Sequence, residues 1–442
     1  MQAAIQYLLN LGAQVFLPII IFIMGLIFKQ KPGKAFKSGL LIGIGFVGIN
    51  LVLNLLVSNL GPAAKAMIDN FGISLNIIDV GWPASAAIAY GTKVGAFVIP
   101  IVLLVNVVMI FFKLTKTLNV DIWNYWHFAF TGSLVAAVTN SLTWGLITAA
   151  LNAAIVLVLA DWTAPMVQKF YNIPNISLPH GFSAAYVPIA IPLNAMIDKI
   201  PVINDIELDP ETIQEKFGVF GEPIFMGLVL GIIVGMLAQY SIPQILNLGV
   251  TMAAVMLLFP RVVKILMEGL TPLSESAKKY MREKFQDREF YIGLDSAIAI
   301  GHPSAISTAL ILVPLTIFLA VIIPGNGVLP FGDLATLPFM VVMIIPITKG
   351  NIFRSTLIGA IIIGVGLLIA TNLAPMITSA AKTTSFEFPE GANIISSICD
   401  GGNPLTWLIV KFMNLGVIGV GIIAIAVVGF GYYIYRNKGA TA

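Results

Sequence analysis

The stretch "LGAQVFLPIIIFIMGLIFKQ", residues 11–30, is almost entirely apolar until its last two residues. A similar stretch, "FGEPIFMGLVLGIIVGMLAQ", occupies residues 220–239. Each has about the length that an α-helix needs to cross the hydrocarbon core of a bilayer. The similarity of the two stretches predicts a chain built from two related halves, each beginning with a membrane-spanning helix.

The composition of the whole chain predicts an all-α integral membrane protein with many spans. Of the 442 residues, 58% are hydrophobic and only 10% are charged, whereas a water-soluble domain carries about 25% charged residues. Such a chain cannot cover its surface with polar groups, and helices satisfy their own backbone hydrogen bonds inside a bilayer. The N-terminal segment lacks a basic region and a small-residue cleavage site, so we expect mature sequence rather than a signal peptide.

Two pairs of prolines extend the repeat beyond its first helix. Pro62 lies in "LLVSNLGPAAKAMI" and Pro272 in the similar "ILMEGLTPLSESAKKYM", while Pro100 and Pro314 occupy matching places in later apolar segments. The repeat therefore predicts five spans in each half and one unmatched span, eleven in all. The predicted spans are residues 12–28, 38–59, 93–112, about 126–140, 142–160, 221–240, 246–267, 306–324, about 333–348, 355–373 and about 411–435.

These spans fit a single membrane-embedded domain, residues 1–442. Its predicted parts are repeat one at about 5–160, a cytoplasmic and re-entrant connection at 161–219, repeat two at about 220–373, and an outer loop with the last helix at 374–442. An odd number of spans per repeat gives the second half the opposite orientation. The sequence thus predicts re-entrant or broken segments within an inverted-repeat transporter architecture.

The basic residues predict how the chain is oriented. With the N-terminus outside and the C-terminus in the cytoplasm, the inner loops and helix ends hold 20 of the 24 lysines and arginines, as the positive-inside rule requires. Segment 178–201 contains four prolines and would reverse this orientation if it crossed the membrane. We therefore expect it to enter the bilayer and return, buried in protein.

Two polar breaks beside the predicted spans, one in each half, indicate a transport site. The first, residues 76–91, holds Asp79, Trp82 and Ser85; the second, residues 292–307, holds Gly293, Asp295 and His302. Asp295 could cap a helix, bind a ligand or do both, because helix N-termini also hold polar ligands. Trp82 suits stacking on a sugar or polyol, with a membrane-interface anchor as the alternative.

The other two of the three histidines are His127 in "DIWNYWHFAFTG" and His180 in "PHG". A histidine at membrane depth is costly unless it has a partner, so a functional role is the default hypothesis. For His127, an interfacial aromatic belt is the alternative. No two histidines are close in the sequence and Cys399 is the only cysteine, so we predict no metal site, no intrachain disulfide and no cofactor.

Several classes of function lack their sequence motifs. The chain contains neither a Walker A motif for ATP-driven transport nor the G-x-S-x-G elbow of many hydrolases. An ion-coupled secondary transporter of a small polar solute stays open, with Asp79 and Asp295 as the acids that would carry the ion. An autonomous membrane enzyme is a second alternative without a supporting motif.

The blocks "IIDVGWP", "LNVDIWNYWHFAFTG", "PHGFSA", "KFGVFGEP", "GLDSA", "PGNGVLPFGDLAT" and "GGNPLTWL" are distributed along the chain. Together they resemble the membrane permease component, enzyme IIC, of the bacterial phosphoenolpyruvate-dependent sugar phosphotransferase system. The resemblance is to the galactitol type in the ascorbate–galactitol superfamily, and it covers nearly the whole chain. Stretches near 136–160 and 375–400 are less typical of that type.

The resemblance implies a dimeric inverted-repeat fold in the bacterial inner membrane. Such a protein binds galactitol or a similar polyol outside and releases it into the cytoplasm as a phosphate ester. The matching motifs point to His180, Asp295, Trp82, Ser85 and His127 as residues that hold the polyol. Asp79, Gly293 and His302 stay candidates from the two breaks, and Asp295 is also the candidate for assisting deprotonation of the substrate.

The resemblance also implies the partners. The phosphoryl group would come from a cysteine of a separate IIB protein, which receives it from IIA upstream. We therefore expect no autonomous catalysis by this chain. The remaining expected partners are membrane lipid and a second copy of the chain. Nucleic acid is not expected.

Overall fold

The computed structural model describes residues 13–71, 75–201, 206–210, 223–285, 289–330, 332–384, 386, 388, 393–419, 421–423, 425–426 and 429. The α-helices are α1 (Ala13–Ile27), α2 (Pro32–Phe71), α3 (Gly81–Gly91), α4 (Lys93–Phe111), α5 (Trp126–Thr139), α6 (Leu142–Tyr171), α7 (Val187–Ile197), α8 (Pro223–Leu237), α9 (Ile242–Phe285), α10 (Pro303–Ile322), α11 (Leu337–Val341), α12 (Ile352–Lys382) and α13 (Pro404–Met413). The β-strands are β1 (Ile77–Asp79), β2 (Thr117–Asn119), β3 (Ile176–Ser177), β4 (Tyr291–Gly293), β5 (Val328–Leu329) and β6 (Ile394–Ser396).

The mostly helical fold agrees with the predicted class of membrane protein. Helices α4, α6, α10 and α12 are each long and apolar enough to cross a membrane by length and composition. The count of eleven spans stays a prediction, and the predicted last span, 411–435, is described only in part, with gaps and no further than residue 429. Residues 374–382, expected to begin an outer loop, instead extend α12 to Lys382.

The long helices α2 and α9 pack against each other, with α1 on α2 and α8 on α9. Glycines allow the close approach of α2 and α9. A Cβ at Gly48 would lie 2.7 Å from Val262 Cγ1, and one at Gly269 would lie 2.8 Å from the Ser38 carbonyl oxygen. Small residues at such contacts let helix backbones approach each other closely, as is common in membrane proteins.

The order of elements in the first half recurs in the second. Each half begins with two helices and a short strand, after which α3 precedes α4 in the first half and the 3-10 turn Ser296–Ile298 precedes α10 in the second. A second strand, a 3-10 turn, a shorter helix, a long helix and a third strand then follow in both. The 3-10 turn is Ile122–Tyr125 in the first half and Leu334–Thr336 in the second. The two orders are similar but not identical, and the inverted repeat stays a prediction.

Within the described ranges, six short strands form two three-stranded parallel sheets, whereas the sequence predicted an all-α protein. In one sheet β1 lies between β5 and β6, with Ile77 opposite both Val328 and Ile394. In the other, β4 lies between β2 and β3, with Ile292 opposite Leu118 and Ile176. Each half thus supplies the central strand of a sheet whose outer strands come from the other half.

The loops that follow the strands approach each other closely. Gly81 lies two residues after the end of β1 and has φ +78°. A Cβ at this position would lie 2.7 Å from the Gly332 carbonyl oxygen. Only glycine adopts this backbone conformation without strain and leaves the space free. Because parallel strands share their direction, the residues after β1, β5 and β6 meet at one edge, and those after β2, β4 and β3 meet at another.

Candidate functional site

The edge at which β2, β4 and β3 end collects three polar residues. Asp121 follows β2, Asp295 follows β4 and His180 follows β3, each within three residues of its strand. Asp121 and His180 are buried, with 2% and 4% exposed, and 12% of the Asp295 side chain is exposed. Buried charged and polar groups are costly unless they have partners, so the contacts of these three residues decide what the edge can do.

Asp295 acts both as a cap and as a member of this polar group. Its Oδ1 accepts a hydrogen bond of 2.8 Å from the Ala297 N–H and so caps the 3-10 turn Ser296–Ile298. The same oxygen lies 3.7 Å from His180 Nε2. The two interpretations that the sequence left open for Asp295 are therefore compatible in the structure.

His127 joins this edge through His180. The two Nε2 atoms are 3.4 Å apart, and the ring centroids are 4.6 Å apart. On its other side, His127 Nδ1 lies 2.7 Å from Asp400 Oδ2. We call His127, His180, Asp295 and Asp400 the histidine–aspartate cluster. It unites three predicted site residues with Asp400, which the sequence analysis did not single out.

The ring of His180 is held in place on both sides. Its Nδ1 accepts a hydrogen bond of 3.3 Å from the Ser183 N–H, and it lies 3.2 Å from Ser183 Oγ. The Phe339 ring stacks on it at a centroid distance of 5.9 Å and an interplanar angle of 21°. Ser183 Oγ in turn donates to the Phe339 carbonyl oxygen at 2.7 Å. These contacts fix the orientation in which Nε2 faces His127 and Asp295.

Asp121 places a second carboxyl group beside Asp295. The two groups are close enough to interact electrostatically, and Asn124 Nδ2 donates to Asp121 Oδ2 at 2.8 Å. Asp121 Oδ1 and Trp126 Nε1 are buried and have no hydrogen-bond partner among the residues that the structure describes. These atoms offer a bound ligand one acceptor and one donor. The block "DIWNYWH" was the available sequence signal for these residues.

The other edge, where β1, β5 and β6 end, carries the Asp79–Asp333 pair. Asp79 Oδ2 accepts from the Asp333 N–H at 2.9 Å, and Asp79 Oδ1 accepts from the Gly81 N–H at 3.1 Å. Asp333 Oδ1 accepts from the Trp82 N–H at 2.7 Å, while Oδ2 accepts from Ser397 Oγ at 2.6 Å and from the Cys399 N–H at 2.9 Å. The pair therefore joins the three loops that follow this sheet.

The predicted residues Trp82 and Ser85 belong to this second edge. Trp82 is half-buried, and its backbone rather than its indole contacts Asp333. Ser85 is buried in α3, and its Oγ has no hydrogen-bond partner within the described part of the chain. Ser85 is thus a further buried polar group that a ligand could satisfy.

The loop after β6 connects the two edges. In this loop, the Cys399 N–H donates to Asp333, and the residue after Cys399, Asp400, contacts His127. Further along, Asn403 Nδ2 donates to the Gly181 carbonyl oxygen at 3.1 Å. Cys399, expected in an outer loop, is buried here. The residues of both edges thus form one polar network in the interior.

Two predicted site residues have other contacts. His302 caps α10 by accepting from the Ser304 N–H at 3.2 Å, and its ring packs 4.9 Å from that of Phe170. Gly293 ends β4, where a Cβ would lie 2.7 Å from Pro179 Cγ and 2.8 Å from Thr117 Cγ2. The structure thus explains Gly293 by close packing and His302 by capping and aromatic contact.

The histidines also affect the expectation about metals. His127 and His180 are far apart in the sequence but meet in space, so the argument from their spacing does not hold. Donor atoms of His127, Cys399 and Asp400 all lie within 4.8 Å of one another. The 2.7 Å contact between His127 and Asp400 has the length of a charge-assisted hydrogen bond, shorter than the spacing of two ligands around zinc, about 3.3 Å for the usual bond lengths.

Comparisons with known proteins agree on one family. The EIIC-GAT model, PTS system sugar-specific permease component, matches residues 7–391. The PTS system galactitol-specific EIIC component of Escherichia coli K12 is 45% identical to this chain over 409 residues, 92% of this chain and 90% of the relative, and that of Escherichia coli O157:H7 gives the same values. A further relative from strain K12, named only as a permease IIC component, is 42% identical over 423 residues, 96% of each chain.

Proposed function

Because this chain belongs to the EIIC-GAT family of sugar-specific permease components of the phosphotransferase system, we propose that its substrate is galactitol. It would bind galactitol from outside and release it into the cytoplasm as a phosphate ester, the phosphoryl group coming from a cysteine of a phosphorylated IIB protein. The observation that carries this proposal is the buried histidine–aspartate cluster with its neighbour Asp121. Cys399 is buried, which supports a donor cysteine on the partner.

The chemistry of these residues suits a polyol. Each hydroxyl of a polyol both donates and accepts a hydrogen bond, and each must exchange water for a protein partner on binding. The carboxyl groups of Asp121 and Asp295 supply acceptors, and the Trp126 indole N–H supplies a donor. His180 can act in either way, since a neutral imidazole has one nitrogen of each kind.

The charge around the site favours a neutral substrate. Asp121 and Asp295 lie beside each other at the end of one sheet, and the Asp79–Asp333 pair lies at the end of the other. An anionic substrate would meet repulsion from like charges at short range in an interior of low dielectric constant. We assign direct contacts to Asp295, His180 and His127, further contacts to Ser85 and Trp82, and supporting roles to Asp79, Gly293 and His302.

We also propose the architecture that the sequence predicts: two inverted five-span repeats and a last helix, with the N-terminus outside and the C-terminus in the cytoplasm. The exchange of central strands between the halves supports a two-fold relation, since the sheets around β1 and β4 have equivalent strand orders. The protein is a multi-pass inner-membrane protein by its family and its apolar helices. We also infer a homodimer surrounded by lipid, because the resemblance to enzyme IIC implies a dimer.

An ion-coupled secondary transporter is the second candidate, and the family does not favour it. The Asp79–Asp333 pair would be its candidate ion site, because both residues are buried and Asp79 accepts a hydrogen bond from the Asp333 backbone there. It would accumulate unmodified substrate without a phosphorylated partner.

The substrate proposal predicts selective competition. Unlabelled galactitol should displace labelled galactitol from the purified protein, whereas the anion ascorbate, even at a ~100-fold excess, should displace little, because it would meet the carboxyl groups of Asp121 and Asp295. Equilibrium binding in detergent measures both. Displacement by ascorbate as effective as by galactitol would contradict the charge argument, and a folded protein that does not bind galactitol would contradict the substrate.

A further inference from the structure

His127 has a hydrogen-bonding partner on each nitrogen, and both lie on other segments of the chain. Nδ1 faces Asp400, in the loop after β6, at 2.7 Å, and Nε2 faces His180, in the loop after β3, at 3.4 Å. Only 2% of the His127 side chain and 1% of the Asp400 side chain are exposed. Water is therefore a minor competitor for these contacts.

The partners determine which nitrogen of His127 carries the proton. A carboxylate only accepts hydrogen bonds, so the short contact to Asp400 places the proton of neutral His127 on Nδ1. Nε2 then holds a lone pair. His180 Nδ1 accepts from the Ser183 N–H at 3.3 Å, so the His180 proton lies on Nε2 and points toward His127. At 3.4 Å this contact is at the outer limit of a hydrogen bond, and a closer donor can replace it.

Asp400 is itself held in position. Asn403 Nδ2 lies 3.4 Å from Asp400 Oδ1, and Asn403 Oδ1 caps α13 by accepting from the Leu405 N–H at 2.9 Å. Because Asn403 is fixed at the start of α13, its contact with Asp400 holds the carboxylate in the orientation that faces His127. Asp400 lies beyond the residues that the family model matches, and no sequence motif had indicated it.

We propose that His127 is the base that accepts the proton of the reacting substrate hydroxyl and that Asp400 is a positioning residue that acts through His127. This inference rests on the proposed function. In the step, the hydroxyl oxygen forms a bond to phosphorus and the phosphorus–sulfur bond of the IIB phosphocysteine breaks. The sulfur leaves as a thiolate, and the hydroxyl proton passes to His127 Nε2. The negative charge of Asp400 stabilises the imidazolium that results, as in other Asp–His pairs.

The surroundings favour His127 over Asp295 for this role. Asp295 Oδ1 already accepts the Ala297 N–H as a cap, whereas the lone pair of His127 Nε2 faces only the 3.4 Å contact to His180 among the described residues. The titratable groups that face His127 are Asp400 and Cys399 after β6, His180 after β3 and Asp295 after β4. Of these, Asp400 makes the shortest contact, 2.7 Å to Nδ1, so its replacement should disturb the orientation and charge environment of His127 most.

The test separates proton transfer from binding. Phosphoryl transfer from phosphorylated IIB to galactitol would be followed in nanodiscs from about pH 5 to 9, together with equilibrium binding of galactitol. For Asp400→Asn we expect binding within about 3-fold of wild type and a transfer rate lower by about 10²-fold or more. The acid limb of the rate profile should also move to lower pH, because the imidazolium has lost its counter-charge. Asp400→Glu should recover part of the rate.

A matched control makes the same chemical change away from the site. Asp198 pairs with Arg354 and is half exposed, so Asp198→Asn should leave the rate and the profile unchanged. Equal losses of binding and transfer in Asp400→Asn, or a reduced rate without a shifted profile, would overturn the positioning role in favour of a structural one. If the wild-type protein forms no galactitol phosphate although IIB is phosphorylated, the proposed function is wrong instead.

Discussion

Replacing Asp295 with asparagine should weaken galactitol binding by about 10- to 100-fold while the protein stays folded. The asparagine keeps an oxygen that can accept the Ala297 N–H, so the cap survives. What is lost is the negative charge toward substrate hydroxyls and toward His180 at 3.7 Å. Hydrogen bonds to charged groups contribute about 1.5–3 kcal/mol, and each 1.4 kcal/mol is about tenfold in affinity. Equilibrium binding of labelled galactitol measures the loss.

Asp198→Asn is again a suitable control, since Asp198 contacts Arg354 rather than the cluster. The thermal midpoint of each variant, measured alongside binding, shows whether folding is preserved. Unchanged affinity in a folded Asp295→Asn protein would remove Asp295 from the substrate site. The capping role alone would then account for this residue.

Replacing a member of the Asp79–Asp333 pair should lower the stability of the fold more than it lowers substrate affinity. We expect Asp333→Asn to lower the free energy of unfolding by about 2–4 kcal/mol, because breaking a buried network leaves polar groups unsatisfied. The two oxygens of Asp333 accept from the Trp82 N–H, Ser397 Oγ and the Cys399 N–H. An asparagine amide would turn one acceptor into a donor facing another donor. Thermal unfolding in detergent measures the effect.

Asp69→Asn supplies the comparison for this stability prediction. Asp69 lies in α2 with its side chain exposed, where the same substitution usually changes stability by less than about 0.5 kcal/mol. Similar thermal midpoints for the two variants would show that the loops after β1, β5 and β6 do not depend on the Asp333 carboxylate.

Hydropathy and helix-breaking residues predicted the helical class of the protein. Apolar length predicted the helices and the two polar breaks marked the loops that follow β1 and β4, while the two related halves stay a prediction. Asp295, named from the second break, and His180, named from the proline-rich segment 178–201, lie 3.7 Å apart. These predictions rest on hydropathy and on helix-breaking residues, which act locally and leave a clear pattern.

The sheets, Asp400 of the cluster and its neighbour Asp121 could not be predicted in this way. Strands of two or three residues are too short for an alternating pattern, and β1 finds its partners 250 or more residues later, at Val328 and Ile394. Asp400 comes from a segment expected to be an outer loop, so nothing placed it next to His127. Asp121 lay within "DIWNYWH", where the aromatic residues drew the interpretation toward a membrane interface.

Group translocation of galactitol is tested most directly in proteoliposomes that receive labelled galactitol outside. The proteoliposomes contain IIB in either its phosphorylated or its unphosphorylated form. We predict that label accumulates inside as galactitol phosphate, and only with phosphorylated IIB. Accumulation of unmodified galactitol, driven by an ion gradient and independent of IIB, would contradict group translocation and establish the secondary transporter instead.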